Sequence, residues 1–290
     1  MKIRLADHLL KELSELGQAI DIDRQFLVFD DGRVGIVNDQ TEKESENERQ
    51  GTRGSATGSR EGTSGSRRSA GEAWSRLGHL DPQMVQLARL EDLWRAYPTD
   101  FIPGDHGLWI IVKSSPLGND GPQVTLVLGY PYSAEIEPRA WAFWKLGEFP
   151  KFIGPRHTNF PDASICAFGP RDWDRGDGVV ALVDFYSTWL IRQLYFQIFD
   201  RWPGRQHGAS PLYRRTEFSA EEWCGCGSGK RYGECHQAAD AILSDEAAAA
   251  EHRKVMGSDY GPRKPPKSIM QFARSGFKRV PTFRDAFEGR

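Results

Sequence analysis

The stretch "HTNFPDASICAFGPRDW" (157–173) decides how the chain is read. It shows neither the period of two of a strand nor the 3.6 of a helix, and it belongs to a longer segment, 154–178, rich in Gly, Pro and Asp. An irregular segment of that length inside a compact domain is usually functional or disordered. This one holds Cys166, nine residues after His157 and seven after Asn159, with Trp173 seven residues further on. A lone cysteine is more often a small buried hydrophobe than a nucleophile. A thiol beside an amide donor nevertheless has the parts of an acyl-transfer site: an attacking sulfur and a group to stabilise an oxyanion.

The flanks give the stretch a setting. Upstream lie three strand-like runs, "GLWIIVK" (107–113), "QVTLVLGYP" (123–131) and "RAWAFWK" (139–145). Val124, Leu126 and Leu128 alternate as a half-buried strand requires, and "GNDGP" (118–122) reads as a hairpin turn. Before them, Asp81-Pro82 is a helix start, and Met84, Leu87, Leu90, Trp94 and Tyr97 recur at helical spacing. Downstream, Asp177 is placed to cap a long helix whose inner face carries Val183, Tyr186, Leu190, Leu194 and Ile198, with Pro203-Gly204 as its stop. The expected architecture is α+β: a helix, an antiparallel meander, an irregular loop and a second helix.

This domain is expected over 71–214. Ahead of it, 1–39 reads as an amphipathic helix at 5–17 and a hairpin about Asp31-Gly32. The segment 40–70 is almost all Glu, Arg, Gly, Ser and Thr, and such a composition predicts a disordered linker. Behind it, 239–290 begins with an alanine-rich helix, "AADAILSDEAAAAEHRKVM" (238–256). From Gly257 onward eight Lys or Arg face three acids, with five aromatics interspersed. That tail is either a basic docking tail or a chain that wraps back over its own domain.

The 290 residues carry a net charge of −2 and no apolar run long enough to span a bilayer, so composition points to neither nucleic acid nor membrane. The charged N-terminus lacks a signal-peptide pattern, and a reducing, cytoplasmic setting is expected. Three of the four cysteines crowd into "WCGCGSGKRYGECHQ" (223–237). Cys224, Cys226, Cys235 and His236 offer three thiolates and an imidazole within thirteen residues, with a Gly/Ser turn to fold the second pair onto the first. That set closes a structural zinc tetrahedron and leaves no position for substrate. The spacing C-x-C-x8-C-H resembles the SEC-C motif found at the C-terminus of SecA translocases, which implies an appended protein-binding zinc knuckle at 219–238. So small a module is expected to have no core of its own and to draw most of its folding energy from the metal.

With "HTN" at 157–159, "SICAF" at 164–168, "DW" at 172–173 and "LGYPYSAEIEPRAWAF" ahead of them, the chain resembles the ubiquitin-conjugating (UBC) enzymes over roughly 80–214. Thr158 and Ala167 stand where that family carries proline and leucine. "STWLIRQLYFQIFDRWPGRQHG" (187–208) resembles the bacterial branch found in anti-phage operons, the ubiquitin-like and type II CBASS systems. The resemblance implies a UBC-like fold and an acyl carrier. Cys166 would take an activated protein C-terminus, from a ubiquitin-like protein or a nucleotidyltransferase, as a thioester and pass it to a target amine. Asn159 would stabilise the oxyanion, His157 would hold the loop, and His207 falls where the bacterial relatives carry a histidine. With no ATP-binding motif in the chain, a separate ubiquitin-activating-type enzyme is the implied partner.

Three other readings stay open. Cys166 and His207 could form the dyad of a cysteine hydrolase, although no third group orients the base. The protein could be a non-catalytic UBC-like adaptor. The tail and knuckle could bind nucleic acid, against which stands the lack of a stacking platform around Lys230 and Arg231.

Overall fold

The computed structural model describes residues 19–22, 26–29, 34–36, 77–113, 123–146, 149–167, 172–204, 206–208 and 210–287. The helix expected at 5–17, the linker 40–70, the turn at 118–122 and Phe168 lie outside these residues. Three short strands, β1 (Ala19–Ile22), β2 (Phe26–Phe29) and β3 (Val34–Ile36), form an antiparallel sheet in the order β1-β2-β3, with β2 and β3 the hairpin expected about Asp31-Gly32.

The main domain opens as expected at Asp81, whose carboxylate accepts the Gln83 amide and whose neighbour Pro82 starts α1 (Pro82–Leu87). The single helix expected to run on to Tyr97 is in fact two. The chain breaks at Arg89, in the left-handed region at φ 51°, before α2 (Leu90–Ala96). The cause is tertiary: the freed Ala88 carbonyl accepts the Val179 amide at the start of a later helix.

Five strands follow as one antiparallel meander, β4 (Thr99–Pro103), β5 (Gly107–Lys113), β6 (Gln123–Pro131), β7 (Arg139–Leu146) and β8 (Phe149–Phe152). The outer two were not read from the sequence. They are short and carry Pro103 and Pro150, which edge strands tolerate because one side needs no ladder donor.

The alternation of Val124, Leu126 and Leu128 marked β6 as a half-buried strand; it is instead buried on both faces, as are β5 and β7. One face presents Leu108, Ile110, Leu126, Leu128, Ala140 and Ala142 to α2 and to the long helix α3 (Gly178–Phe199), which contributes Val179, Leu182, Val183, Tyr186 and Trp189. The opposite face presents Trp109, Ile111, Val127, Trp141 and Phe143. It is covered by the chain's own end, α7 (Lys267–Arg274) and α8 (Phe283–Phe287), through Ile269, Phe272, Phe283 and Ala286. Of the two alternatives for the tail, the structure therefore shows the wrap. Trp109 anchors it, its Nε1 donating to the Pro281 carbonyl at 3.0 Å. Gly107 is the fitting residue: a Cβ there would stand 2.3 Å from the Phe283 ring and 2.6 Å from the Tyr130 carbonyl oxygen.

Two further boundaries differ from expectation. Asp177 is the N-cap of α3 as expected, but without a side-chain capping bond; the capping bonds lie one turn earlier, where Asp174 accepts the Gly176 amide and Asp177 reaches back to the Asp174 amide, closing a short 3-10 turn over Arg175–Asp177. The helix then ends at Asp200, in the left-handed conformation, before Pro203-Gly204 is reached. After α4 (Pro211–Glu217), the alanine-rich helix is divided into α5 (Gln237–Ile242) and α6 (Asp245–Met256), because Ser244 leaves the helix and caps the second segment through the Ala247 amide.

Candidate functional site

The irregular loop is a tight hairpin. Thr158 and Ile165 form an antiparallel bridge, the Asn159 amide donates to the Ser164 carbonyl at 2.7 Å, and the Cys166 amide donates to the His157 carbonyl at 3.1 Å. The Ile165 amide ties the hairpin to β7 through the Ala140 carbonyl at 2.8 Å. This folding brings Cys166 and Asn159 to the same cavity, about 310 Å³ in volume, walled by Glu137, Pro138 and Arg139 from the β6–β7 connection, Tyr186 from α3, and Met256 and Ser258 from the end of α6. Cys166 is exposed, yet desolvation by its surroundings pushes its thiol up, with Arg263 opposing. Burial pushes the Tyr186 hydroxyl up as well, with Glu137 and Cys166 adding to it. Trp173 closes the loop's far end, donating to the Gly178 carbonyl at 3.0 Å.

The other sequence-predicted residues fall into distinct places. The Asn159 Nδ2 group donates to Ser164 Oγ at 3.1 Å and more weakly to the Ile165 carbonyl at 3.4 Å, so in this arrangement its donors face its own loop. His157 sits at φ 48°. Its carbonyl also accepts Trp189 Nε1 at 2.8 Å. Its ring lies 4.1 Å from that of Trp202, and its Nε2 is 2.7 Å from Gln206 Oε1. Burial, with Arg156 nearby, pushes this imidazole down to about 3, so it is neutral at ordinary pH and holds the loop. His207 does not line the Cys166 cavity. It is exposed and lines a separate cavity of about 460 Å³ with Trp223, Cys224, Cys226 and Lys230. Among the described residues, no histidine lines the Cys166 cavity.

The ligand atoms of Cys224, Cys226, Cys235 and His236 all lie within 4.8 Å of one another. His236 Nδ1 stands 3.1 Å from Cys224 Sγ and 3.2 Å from Cys235 Sγ, and Cys226 Sγ stands 3.6 Å from Cys235 Sγ. With metal–sulfur bonds of about 2.3 Å, a tetrahedral centre has sulfur–sulfur edges of roughly 3.8 Å. The donor set thus fits a closed four-coordinate metal ion. The Ser228 hydroxyl lies 3.1 Å from Cys226 Sγ and 3.3 Å from Cys235 Sγ, where it can support the thiolates. Burial pushes the Cys224 thiol up to about 12, so a metal bound there must displace a proton.

No family model, curated protein or solved structure matches the chain.

The cysteine cluster differs from the expected appended knuckle in being built into the domain. Tyr213, Phe218, Cys224 and Tyr232 form a small buried core of their own, against which Phe160 of the Cys166 loop and Tyr260 also pack. Arg214 of α4 and Asp240 of α5 make a bidentate pair at 2.7 Å on both bonds, buried beneath it. Gly225 permits the closest approach: at φ 75°, a Cβ there would stand 2.3 Å from the Gly208 nitrogen.

Beneath both sites lies a polar network that the sequence did not announce. Glu222, 1% exposed, accepts from Arg156, from Gln206 Nε2 at 2.8 Å and from the Trp202 amide at 2.8 Å. Gln206 joins this carboxylate to His157 and also donates to the Trp223 carbonyl at 3.2 Å, one residue before Cys224. Arg263 pairs with Glu217 and donates to the Thr158 carbonyl at 3.1 Å. The only advance signal was a run of charged residues set among aromatics, "EFSAEEWC" (217–224), in which nothing local separates buried Glu222 from exposed Glu221.

Proposed function

We propose that the protein is an acyl carrier of the ubiquitin-conjugating type, with a UBC-like domain and a structural zinc ion held by Cys224, Cys226, Cys235 and His236. The observation that carries the reading is the separation of the four thiols. Three are gathered in one metal-type cluster, and the fourth, Cys166, opens into a cavity with Asn159 between a five-stranded meander and a long helix. The order of elements and the HTN, SIC and DW motifs support the same family reading. The zinc supplies closed coordination and folding energy, with no catalytic position.

In the first step the Cys166 sulfur attacks the carbonyl carbon of a protein C-terminus already held as a thioester on an activating enzyme. The new C–S bond forms, the old one breaks, the activating enzyme's thiolate leaves with the electron pair, and the Cys166 proton passes through solvent to that thiolate. In the second step a target amine attacks the same carbon, a C–N bond forms, the Cys166 thiolate departs and the amine proton goes to solvent. Asn159 serves the tetrahedral oxyanion with the N–H that reaches only weakly to the Ile165 carbonyl, while Ser164 Oγ holds the other; one such donor is worth roughly 3 kcal/mol. That no histidine lines the cavity among the described residues favours this reading over a cysteine hydrolase, which needs its own base at the sulfur. A bacterial anti-phage system, with a ubiquitin-like protein or a nucleotidyltransferase as the carried partner, is the setting that the motif resemblance favours.

The test is loading with a cognate activating enzyme, ATP and the carried protein, read on non-reducing gels. Wild type gives an adduct removed by excess thiol, Cys166→Ser a thiol-resistant oxyester, and Cys166→Ala none. An adduct on Cys166→Ala equal to that of wild type would refute the reading in favour of a UBC-like adaptor, and Cys166-dependent cleavage of preformed conjugates would replace it with the hydrolase.

A further inference from the structure

The cavity wall contains one residue whose contacts lead away from the site. Arg139 is the first residue of β7, on the sheet that the C-terminal helices cover. Its Nη1 donates to Asp162 Oδ2 at 2.6 Å and to the carbonyl of Phe287, the last described residue, at 3.2 Å, and the guanidinium lies 5.0 Å from the Phe287 ring centre. Asp162 uses its other oxygen, Oδ1, to accept both the Ser164 amide and the Ser164 hydroxyl at 2.9 Å. With its proton committed to Asp162, Ser164 Oγ accepts from Asn159 Nδ2 at 3.1 Å. The donors and acceptors alternate without conflict from Phe287 to Asn159. Trp141, whose ring lies in the covered sheet face, also donates to the Asp162 carbonyl at 2.9 Å.

The geometry points to Arg139 as a positioning residue that couples docking of the C-terminal helix α8 to the placement of Asn159 beside Cys166. In this arrangement Asp162 orients the Ser164 hydroxyl only while Arg139 holds the carboxylate, and Arg139 is fixed in turn by the end of α8. Undocking of α8 frees Asp162, then Ser164, and the Asn159 amide loses its fixed partner. The catalytic meaning of this coupling rests on the acyl-carrier reading of Cys166; the coupling itself does not.

The experiment uses the full-length chain and three perturbations: Arg139→Gln, Asp162→Asn, and a deletion of residues 287–290 that removes the Phe287 carbonyl and ring but keeps Phe283 and Ala286 on the sheet. Hydrogen exchange of the Asn159 and Ser164 amides and alkylation of Cys166 by iodoacetamide are read at several pH values. Loss of one charge-assisted hydrogen bond implies about tenfold more opening of the hairpin, so exchange accelerates on that scale in all three. The pH midpoint of alkylation falls toward that of a free thiol as the loop takes up water. The Arg139→Gln and deletion effects do not add, because they break one chain of contacts. Arg139→Lys, which keeps a cation for Asp162, recovers part of the protection. Lys113→Gln, which breaks an exposed pair with Asp100 on the same sheet, leaves both readings at wild type. Unchanged exchange and alkylation in Arg139→Gln, or full additivity with the deletion, would overturn the coupling. If Cys166 proves unable to load, these readings still decide the coupling. If Cys166 loads, Arg139→Gln slows discharge onto lysine more than it slows loading.

Discussion

Replacing Glu222 with alanine tests whether the metal cluster is welded to the domain. The carboxylate is 1% exposed and receives three donors: the Arg156 guanidinium, the Gln206 amide and the Trp202 backbone N–H. Its removal leaves Arg156, itself buried, with a longer contact to Glu217 at 3.7 Å, a weak bond to Gln206 at 3.3 Å and the rings of Phe196 and Phe218, and no closer carboxylate among the described residues. The pair need not be a net stabiliser for this to matter, since the cost lies in stranding one buried charge, typically 3–5 kcal/mol. For a chain of this size each kcal/mol shifts the thermal midpoint by about 2–4 °C, so Glu222→Ala is expected to lower it by roughly 6–20 °C. Glu222→Gln, which keeps an acceptor for Trp202 and one donor, falls between that and wild type. Calorimetry gives the midpoint, and elemental analysis on the same sample gives the metal content. A shift under about 2 °C would show that water reaches Arg156 and that the 219–240 region moves independently of the domain; the argument for a weld would then fail.

Three more outcomes are expected. Purified protein should hold one zinc per chain, and Cys226→Ser should release it; a metal content near zero in protein never exposed to chelator removes the zinc assignment. His157 has a depressed folded-state value of about 3 against an ordinary 6.5, so the unfolded chain binds its proton first and stability falls as pH drops from about 6.5 toward 3. At pH 5 this amounts to about 2 kcal/mol, and urea titrations at pH 7 and pH 5 should show His157→Phe losing that much less than wild type, the same pH slope in both being the contrary result. Finally, Gly107→Ala places a methyl against Phe283 and the Tyr130 carbonyl, and is expected to cost about 1–3 kcal/mol and increase dye binding to the uncovered sheet face. A neutral effect would mean that α8 does not rest there.

What the sequence disclosed was what short-range chemistry decides. The Asp81-Pro82 start, the central strands and the C-x-C-x8-C-H ligand set can each be read from residues within a few positions of one another, and the structure has them. The break at Ala88–Arg89 was hidden because its cause is the Val179 amide, ninety residues away. The Ser244 cap was visible in "LSDEAA" and was overridden by the length of the alanine run. The double burial of β5, β6 and β7 was hidden for a different reason. Val124, Leu126 and Leu128 do alternate with polar Thr125, as a half-exposed strand would, and only the return of Ile269, Phe272 and Phe283 makes the second face a core. At the site, the sequence named Cys166, Asn159 and His157 from their local order. It placed His207 with them, although the chain turns it toward the metal cluster, and it missed Glu222, Gln206, Arg139 and Asp162, whose roles exist only through partners distant in sequence.

The positions of those missed residues change what the chain beyond 214 is for. A hairpin as short as 157–166, with left-handed residues at His157 and Ala163, has little reason to hold one shape by itself. It is gripped on one side by Gln206 on His157, Arg263 on the Thr158 carbonyl and the Phe160–Tyr213–Tyr260 cluster, which packs with Cys224 and Tyr232. On the other side Arg139 and Trp141 hold Asp162, and both rest against the covered sheet face or the helix that covers it. The meander and long helix hold the hairpin too, through the Ala140 carbonyl and Trp189, and these later contacts add to that hold. By linkage, a metal ion held by Cys224, Cys226, Cys235 and His236 would stabilise any contact that forms only when those four side chains are gathered. The cluster and the C-terminal helices therefore add to the surroundings of the Cys166 loop: a fragment ending at 214 would keep the hairpin's own bonds and its ties to Ala140, Trp141 and Trp189 but lose those from Arg263, Tyr260 and the Phe287 carbonyl.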